Sequence, residues 1–221
     1  MVRRSAAKNM ADFVKVLPPQ EILDDILPLY KKLSIDDQDS VRLLTVEALI
    51  AIMQKLDKQQ VLTDLLPCVR SACNDASWRV RFMVGQKFVE VAECVTQDVI
   101  RDELIQAFVN LLKDNEAEVR TASSSQIPGI SKFVDQEIIL AKILPVVREI
   151  AGDQSQHVRA AVGNELSGLA PLLGKEETVE NLLPIFLQLL KDEFPDVRLN
   201  IISRLDKVNE GMYTYNASQT F

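Results

Sequence analysis

The chain's stock of catalytic side chains is small: one histidine, His157, and three cysteines, Cys68, Cys73 and Cys94, in 221 residues. A di-iron hydroxylase centre needs several His-Glu pairs as ligands, and one histidine cannot supply them. Neither a nucleophile-His-acid set nor a glycine-rich phosphate loop is present. The cysteines are odd in number, irregularly spaced and without paired C-x-x-C clusters, so they read as buried thiols of a reducing compartment. What does recur at fixed spacing is aspartate and arginine, whose shared chemistry is the charge-assisted hydrogen bond. The chain is therefore expected to bind rather than to catalyse, with no cofactor and no metal.

The dipeptide Val-Arg occurs at Val2-Arg3, Val41-Arg42, Val80-Arg81, Val119-Arg120, Val158-Arg159 and Val197-Arg198, always 39 residues apart. Five positions before each of the last five stands an aspartate: Asp36, Asp75, Asp114, Asp153 and Asp192. Two ladders in phase define an internal repeat. Each aspartate is expected to cap the helix that follows it, accepting bonds from unpaired backbone N-H groups. Each arginine opens that helix, where a cation opposes the dipole, so it should be held by the acid of its own or the adjacent turn.

The elements that must carry these residues follow from two apolar stripes. Eight residues after each Val come Met10, Leu49, Phe88, Ile127, Leu166 and Leu205, and eleven after come Phe13, Ile52, Val91, Ile130, Leu169 and Val208. Offsets 0, 8 and 11 share one helix face, which defines helix B. Upstream, Ile26, Leu27, Tyr30 and Leu33 reappear as Leu65, Leu66, Val69 and Ala72 and as Ile143, Leu144, Val147 and Ile150, the stripe of helix A. Neither helix can bury its stripe alone, so successive pairs must stack. Pro28, Pro67, Pro145 and Pro184 fall inside helix A, with Gln106 at the fifth equivalent place, and should disturb it. Pro128-Gly129 predicts a break near Gln126 in the fourth helix B. The period divides the chain into a partial repeat 1–17 and repeats at about 18–56, 57–95, 96–134, 135–173 and 174–210, followed by a segment 211–221 outside the pattern. Both ends lack polar capping repeats, which should leave Phe13, Val14 and Val208 poorly covered and favour self-association.

The formal charge of -7 opposes a phosphate backbone, so nucleic acid is not an expected partner. No run approaches the roughly 20 apolar residues of a bilayer span, and the N-terminus lacks a signal peptide's apolar core. The expected address is the cytoplasm, with the nucleus as a second.

The Asp-x-x-x-x-Val-Arg signature at this period resembles HEAT repeats. Longer stretches, DDQDSVRLL, ASWRVRFMV, DNEAEVR, QSQHVR and LLPIFLQLLKDEFPDVRLNIISRLDKVNE, resemble consecutive central repeats of the scaffold (A) subunits of protein phosphatase 2A, in order and in register over about residues 1–210. The resemblance implies an all-α solenoid of about five and a half HEAT repeats. It also implies a non-catalytic scaffold whose turns between helices A and B form a ridge for regulatory (B-type) subunits. The family's catalytic subunit sits on last repeats that nothing here resembles. The alternative is another HEAT-array adaptor, of tubulin-binding or nuclear transport receptor type; tubulin, being acidic, would need basic turns.

These turns are acidic. Spanning 35–40, 74–79, 113–118, 152–157 and 191–196, they hold eleven acidic and three basic residues. Beyond the ladder, Asp37, Asp39, Glu116, Glu118, Glu193 and Asp196 can solvate a turn or steer a basic partner. Trp78 is the only tryptophan. Asp39, Ala117, Gln156 and Pro195 stand at its equivalents, so the position is turn surface, and with Arg79 it has the makeup of an interface anchor. Arg3 and Arg4 would lie on the same ridge, Arg3 as part of the ladder and Arg4 free to touch a partner. Gln156, His157 and Phe194 complete the expected contact set, with His157 a solvated side chain or a minor contact.

Overall fold

The computed structural model describes residues 2–204, and every regular element among them is helical. The chain divides into two compact units, Met1–Val99 and Ile100–Phe221.

In the first unit a B-type helix, Val2–Val16, packs on the next one, Asp39–Lys55. The A-type helices Leu27–Leu33 and Leu66–Cys73 alternate with them, and the last B-type segment is split into Trp78–Gln86 and Phe88–Glu93. The stripe residues make the core: Met10, Leu49, Phe88, Ile52 and Val91 from the B helices, and Leu27, Tyr30, Leu33, Leu66 and Val69 from the A helices, are all buried. Phe13 is 62% exposed, but Val14 is fully buried, contrary to the expectation that both would be bare. Val14 lies one residue round from Phe13, on the same face as Met10 and Ala7, so the contact with Asp39–Lys55 covers it. Val208 lies outside the described residues.

The second unit repeats the scheme. Its A-type helices Ile105–Leu112, Leu144–Ile150 and Leu183–Leu189 precede the B-type helices Ala117–Ser124, Gln156–Glu177 and Pro195–Ile202. Phe108, Leu111, Ile127, Ile130, Val147, Leu166, Leu169, Phe186 and Ile201 fill the centre. The break expected from Pro128-Gly129 is present: Ala117–Ser124 stops, Ser125 and Gln126 form a turn, and Ile127–Ser131 restarts with Pro128 in its first turn, where a missing N-H costs nothing. A matching break at Lys87, with no proline nearby, has no counterpart among the expectations. It falls at the same offset from its Val-Arg and two residues after Gly85, a poor helix former.

The disturbance in helix A is a widened turn. Each A segment contains a five-residue π-turn, at Ile22–Ile26, Val61–Leu65, Ile100–Leu104, Ile139–Ile143 and Thr178–Leu182. Four of them end just before a proline at the head of the following α-helix, whose absent N-H would otherwise leave a broken α ladder. The fifth precedes Ile105 and Gln106 without any proline, so proline alone does not cause it. Paired buried residues accompany the widening at Leu65-Leu66, Leu104-Ile105 and Ile143-Leu144, whereas Leu183, at the equivalent place in the last segment, is 43% exposed. Val61, Leu65, Leu66 and Val69 are all buried, and a wider turn brings both Leu65 and Leu66 onto the covered face.

The loops that return from helix B to helix A are pinned by a distant side chain. Lys58 Nζ donates to the carbonyl of Val95 at 3.5 Å, and Gln136 Nε2 to that of Leu173 at 2.8 Å, each meeting an orphan carbonyl at the end of the next B-type segment. Gly174, the only described residue at positive φ (75°), interrupts the run Gln156–Glu177 and lets the chain turn into its next A segment.

Candidate functional site

The turns between helices A and B are built the same way each time. The ladder aspartate precedes the helix by about three residues, and its Oδ1 accepts the N-H two residues on: Asp36 from Gln38, Asp75 from Ser77, Asp114 from Glu116, Asp153 from Ser155 and Asp192 from Phe194, at 2.8 to 3.0 Å. That is an Asx-turn. The carboxylates therefore do not cap the helices as expected. The N-cap residues are Gln38, Ser77, Glu116, Ser155 and Phe194, none with a side-chain cap bond, and the aspartate fixes the N-cap's own N-H instead.

The ladder arginines bind the same turns. Nη1 of Arg42, Arg81, Arg120, Arg159 and Arg198 donates to the carbonyl of the preceding ladder aspartate at 2.6 to 2.8 Å and to that of the next residue at 2.9 to 3.3 Å. The other edge of the guanidinium reaches forward 33 residues. Arg42 grips Asp75 through Nε and Nη2, both at 2.8 Å, within the first unit. In the second unit Arg120 grips Asp153 (2.7 and 2.8 Å) and Arg159 grips Asp192 (2.6 and 2.9 Å). These are mostly buried bidentate pairs. The aspartate partner raises the affinity of Arg42, Arg120 and Arg159 for their protons. Burial pushes the Asp75 carboxyl up, but Arg42 and the Ser77 N-H outweigh it and hold the group below its ordinary value. Arg159 does the same for Asp192, against burial and with help from the Phe194 N-H.

On the first unit's turns, several residues expected to meet a partner meet each other. Exposed Arg3 lies 3.1 Å from both Asp36 and Asp37. Backbone and Asp36 hydrogen bonds, with Arg3, keep Asp37 below the usual carboxylate range. Asp39 accepts from Ser77 Oγ at 2.9 Å and Arg79 Nη1 at 3.2 Å, which lowers it likewise. Trp78 is the first residue of its helix and half-exposed. The Arg79 guanidinium lies 5.4 Å from its ring centroid, and Phe82 meets it edge-on at 6.4 Å. Two ring contacts and the Asp39 anchor thus hold an aromatic surface half in solvent. Arg4 is exposed.

On the second unit's turns, Glu116, Glu118, His157, Glu193 and Asp196 are exposed and Gln156 is half-buried. Phe194 is also half-buried, with the Arg159 guanidinium 5.5 Å from its ring centroid, so part of it serves the ladder. Cys73 is buried and Cys68 and Cys94 are half-buried free thiols; burial pushes Cys94 up to about 11. Among the described residues no group of three or more His, Cys, Asp or Glu could hold a metal, and no helix is long and apolar enough to cross a membrane.

A second set of 33-residue staples, on the A segments, has no clear mark in the sequence. Lys31 Nζ donates to Asp64 at 2.7 Å in the first unit, and Arg148 donates to Asn181 in the second, where Asn181 in turn donates to Glu177 at 2.6 Å. The signal is faint because Val109 and Leu187 stand at two of the five equivalent donor positions.

The same repeat is found in known proteins. A family model described as PPP2R1A-like HEAT repeat matches residues 1–43 and 97–174, more than half of the chain, and a general HEAT repeat model matches 65–95 and 182–211. A relative in Schizosaccharomyces pombe, an A-type regulatory subunit of protein phosphatase PP2A, is 50% identical over 56 residues, 25% of this chain and 10% of that protein. One in Caenorhabditis elegans, a probable regulatory subunit of the serine/threonine-protein phosphatase PP2A, is 44% identical over 57 residues, 26% of this chain and again 10% of the relative. The matched stretches thus span about a tenth of these relatives. Among solved structures, Cex1p superimposes with a TM-score of 0.71 at 16% identity, over 97% of this chain and 46% of that one. A designed armadillo repeat protein in complex with the peptide (KR)4 gives 0.60 at 20% identity, over 93% and 92%. These likenesses establish the fold, an all-α solenoid.

Proposed function

Since the chain belongs to the PPP2R1A-like HEAT repeat family, we propose that it is a non-catalytic scaffold that docks regulatory (B-type) subunits of protein phosphatase 2A on its A-B turns. The relatives' names support phosphatase 2A as the setting. Trp78 carries the choice of surface. A half-exposed tryptophan at the head of a helix, stacked by Arg79 and braced by Phe82, is an anchor whose conformation is fixed before a partner arrives. Pre-ordering of this kind lowers the entropy cost of docking, and Trp and Arg dominate interface energetics. On the first unit Arg4, and on the second the exposed acids Glu116, Glu118, Glu193 and Asp196, offer charge for steering, while Arg3, Asp37, Asp39 and Arg79 are already paired and would have to exchange partners. Contact with the catalytic subunit is assigned to repeats of the longer relatives, and the cytoplasm, with the nucleus second, is the proposed address.

Titration of the purified chain with a B-type regulatory subunit by calorimetry tests this. Trp78→Ala should weaken binding by about 1 kcal/mol or more. Unchanged affinity would remove Trp78 from the surface, and no binding by the parent chain would remove the function.

A further inference from the structure

Position 72 breaks the apolar ladder of the A segments. The four equivalent residues, Leu33, Leu111, Ile150 and Leu189, are all buried core side chains. Ala72 lacks three carbons that a leucine would place there, and the space is not closed by its neighbours. A pocket of about 210 Å³, partly open to solvent, lies within the first unit; Tyr30, Val46, Leu49, Cys68, Ala72 and Val80 form its apolar side, and Arg42 and Asp75 stand at its polar edge. The residues of the apolar side come from two consecutive A segments and the two B helices that follow them.

Its chemistry is defined by what is already satisfied around it. Lys31 and Arg42, the cations at its edge, are paired with Asp64 and Asp75. Of the nearby hydroxyls and thiol, Ser34 donates to the Lys31 carbonyl, Thr45 to that of Arg42 and Cys68 to that of Asp64. Burial pushes the Cys68 thiol up, so it is neutral at physiological pH. A charged guest would find no unpaired counter-ion among these cations and their aspartates, so the pocket favours a neutral one. Size narrows the choice further. An apolar cavity of about 150 Å³ stays dry and accepts benzene, while drug-sized ligands need about 300 Å³ or more. The polarizable Cys68 sulfur and the Tyr30 ring favour an aromatic guest over an aliphatic one.

We infer that this cavity is a binding site for one neutral aromatic molecule of one or two fused rings. A guest there touches both hairpins at once, so it stiffens their junction and raises the stability of the first unit by linkage. Such a site stands whether or not the turns dock phosphatase subunits.

Indole is a suitable probe, titrated into the full chain carrying labelled Val and Leu methyl groups. Saturable ring-current shifts should appear at Val46, Leu49 and Val80 and not at Val147 in the second unit, with a rise in Tm. Ala72→Leu fills the space; it should raise Tm without indole and weaken indole binding about tenfold or more. Ala72→Val, a smaller addition, serves the same purpose if leucine overpacks the site. Absence of saturable shifts in the parent chain, or shifts of equal affinity in the filled variants, would overturn the assignment.

Discussion

The Arg159-Asp192 pair is where the ladder can be tested as energy rather than geometry. Arg159 is 9% exposed, the two side chains 10% and 7%, and the guanidinium makes four hydrogen bonds, two to the Asp192 carboxylate and two to the carbonyls of Asp153 and Gln154. Arg159→Met keeps the apolar stem of the side chain but leaves the buried Asp192 carboxylate to the Phe194 N-H, without its counter-ion. Removing one member of a buried pair costs about 3–5 kcal/mol, and losing the stack on Phe194 adds about 0.5 kcal/mol, so about 4 kcal/mol is expected. Asp192→Asn retains an oxygen for the Asx-turn and removes the charge, which should cost about 2–3 kcal/mol. Because each single change strands the other group, the double variant should cost about 2 kcal/mol less than the sum. Repeat arrays do not always unfold in one step, so urea curves should be read with amide exchange of residues 183–202. Additivity within about 0.5 kcal/mol, or a cost below about 1 kcal/mol for Arg159→Met, would refute the view that the fork joins neighbouring hairpins.

Acid should act through the same pairs. The folded values of Asp75 and Asp192 are depressed, so the stability they confer is fully present above the unfolded value of about 3.9 and is lost as pH falls through the folded one. Asp75→Asn should therefore lower the urea midpoint at pH 7 and flatten its fall below pH 4, about the ordinary aspartate value. A β-carbon on Gly168 would sit 2.7 Å from Cβ of Pro128, between two packed helices, so Gly168→Ala should cost about 1–3 kcal/mol in urea unfolding. Gly174→Ala forces a left-handed φ on a residue with a β-carbon, and should cost about 1 kcal/mol and raise exchange at the start of the next A segment.

The period of 39, the helix B stripe and the Asp-Arg ladder are legible because the same residue class returns from copy to copy: a missing Leu49 or Phe88 would open the core, and only the helix A stripe lapses, at Ala72. Spacing does not tell an Asx-turn from a helix cap. Both put an acidic side chain just ahead of a helix, and only the observed N-cap at Gln38 or Ser77 separates them. The π-turns are hidden because proline draws attention to itself, whereas the Ile100–Leu104 turn shows that the widening occurs without it. The turn residues stand out as polar or aromatic, but their pairing does not. That Arg79 folds over Trp78 and onto Asp39 depends on side-chain directions across 40 residues, which a one-dimensional pattern does not carry.

Docking of a regulatory subunit on the A-B turns is tested most directly by amide hydrogen exchange of the chain with and without a B-type subunit of phosphatase 2A. Protection concentrated at 74–79 and the neighbouring turns, with the outer faces of the A segments unchanged, is the predicted result. Protection confined to the A segments, or a complex that leaves the turns exchanging as before, would contradict it.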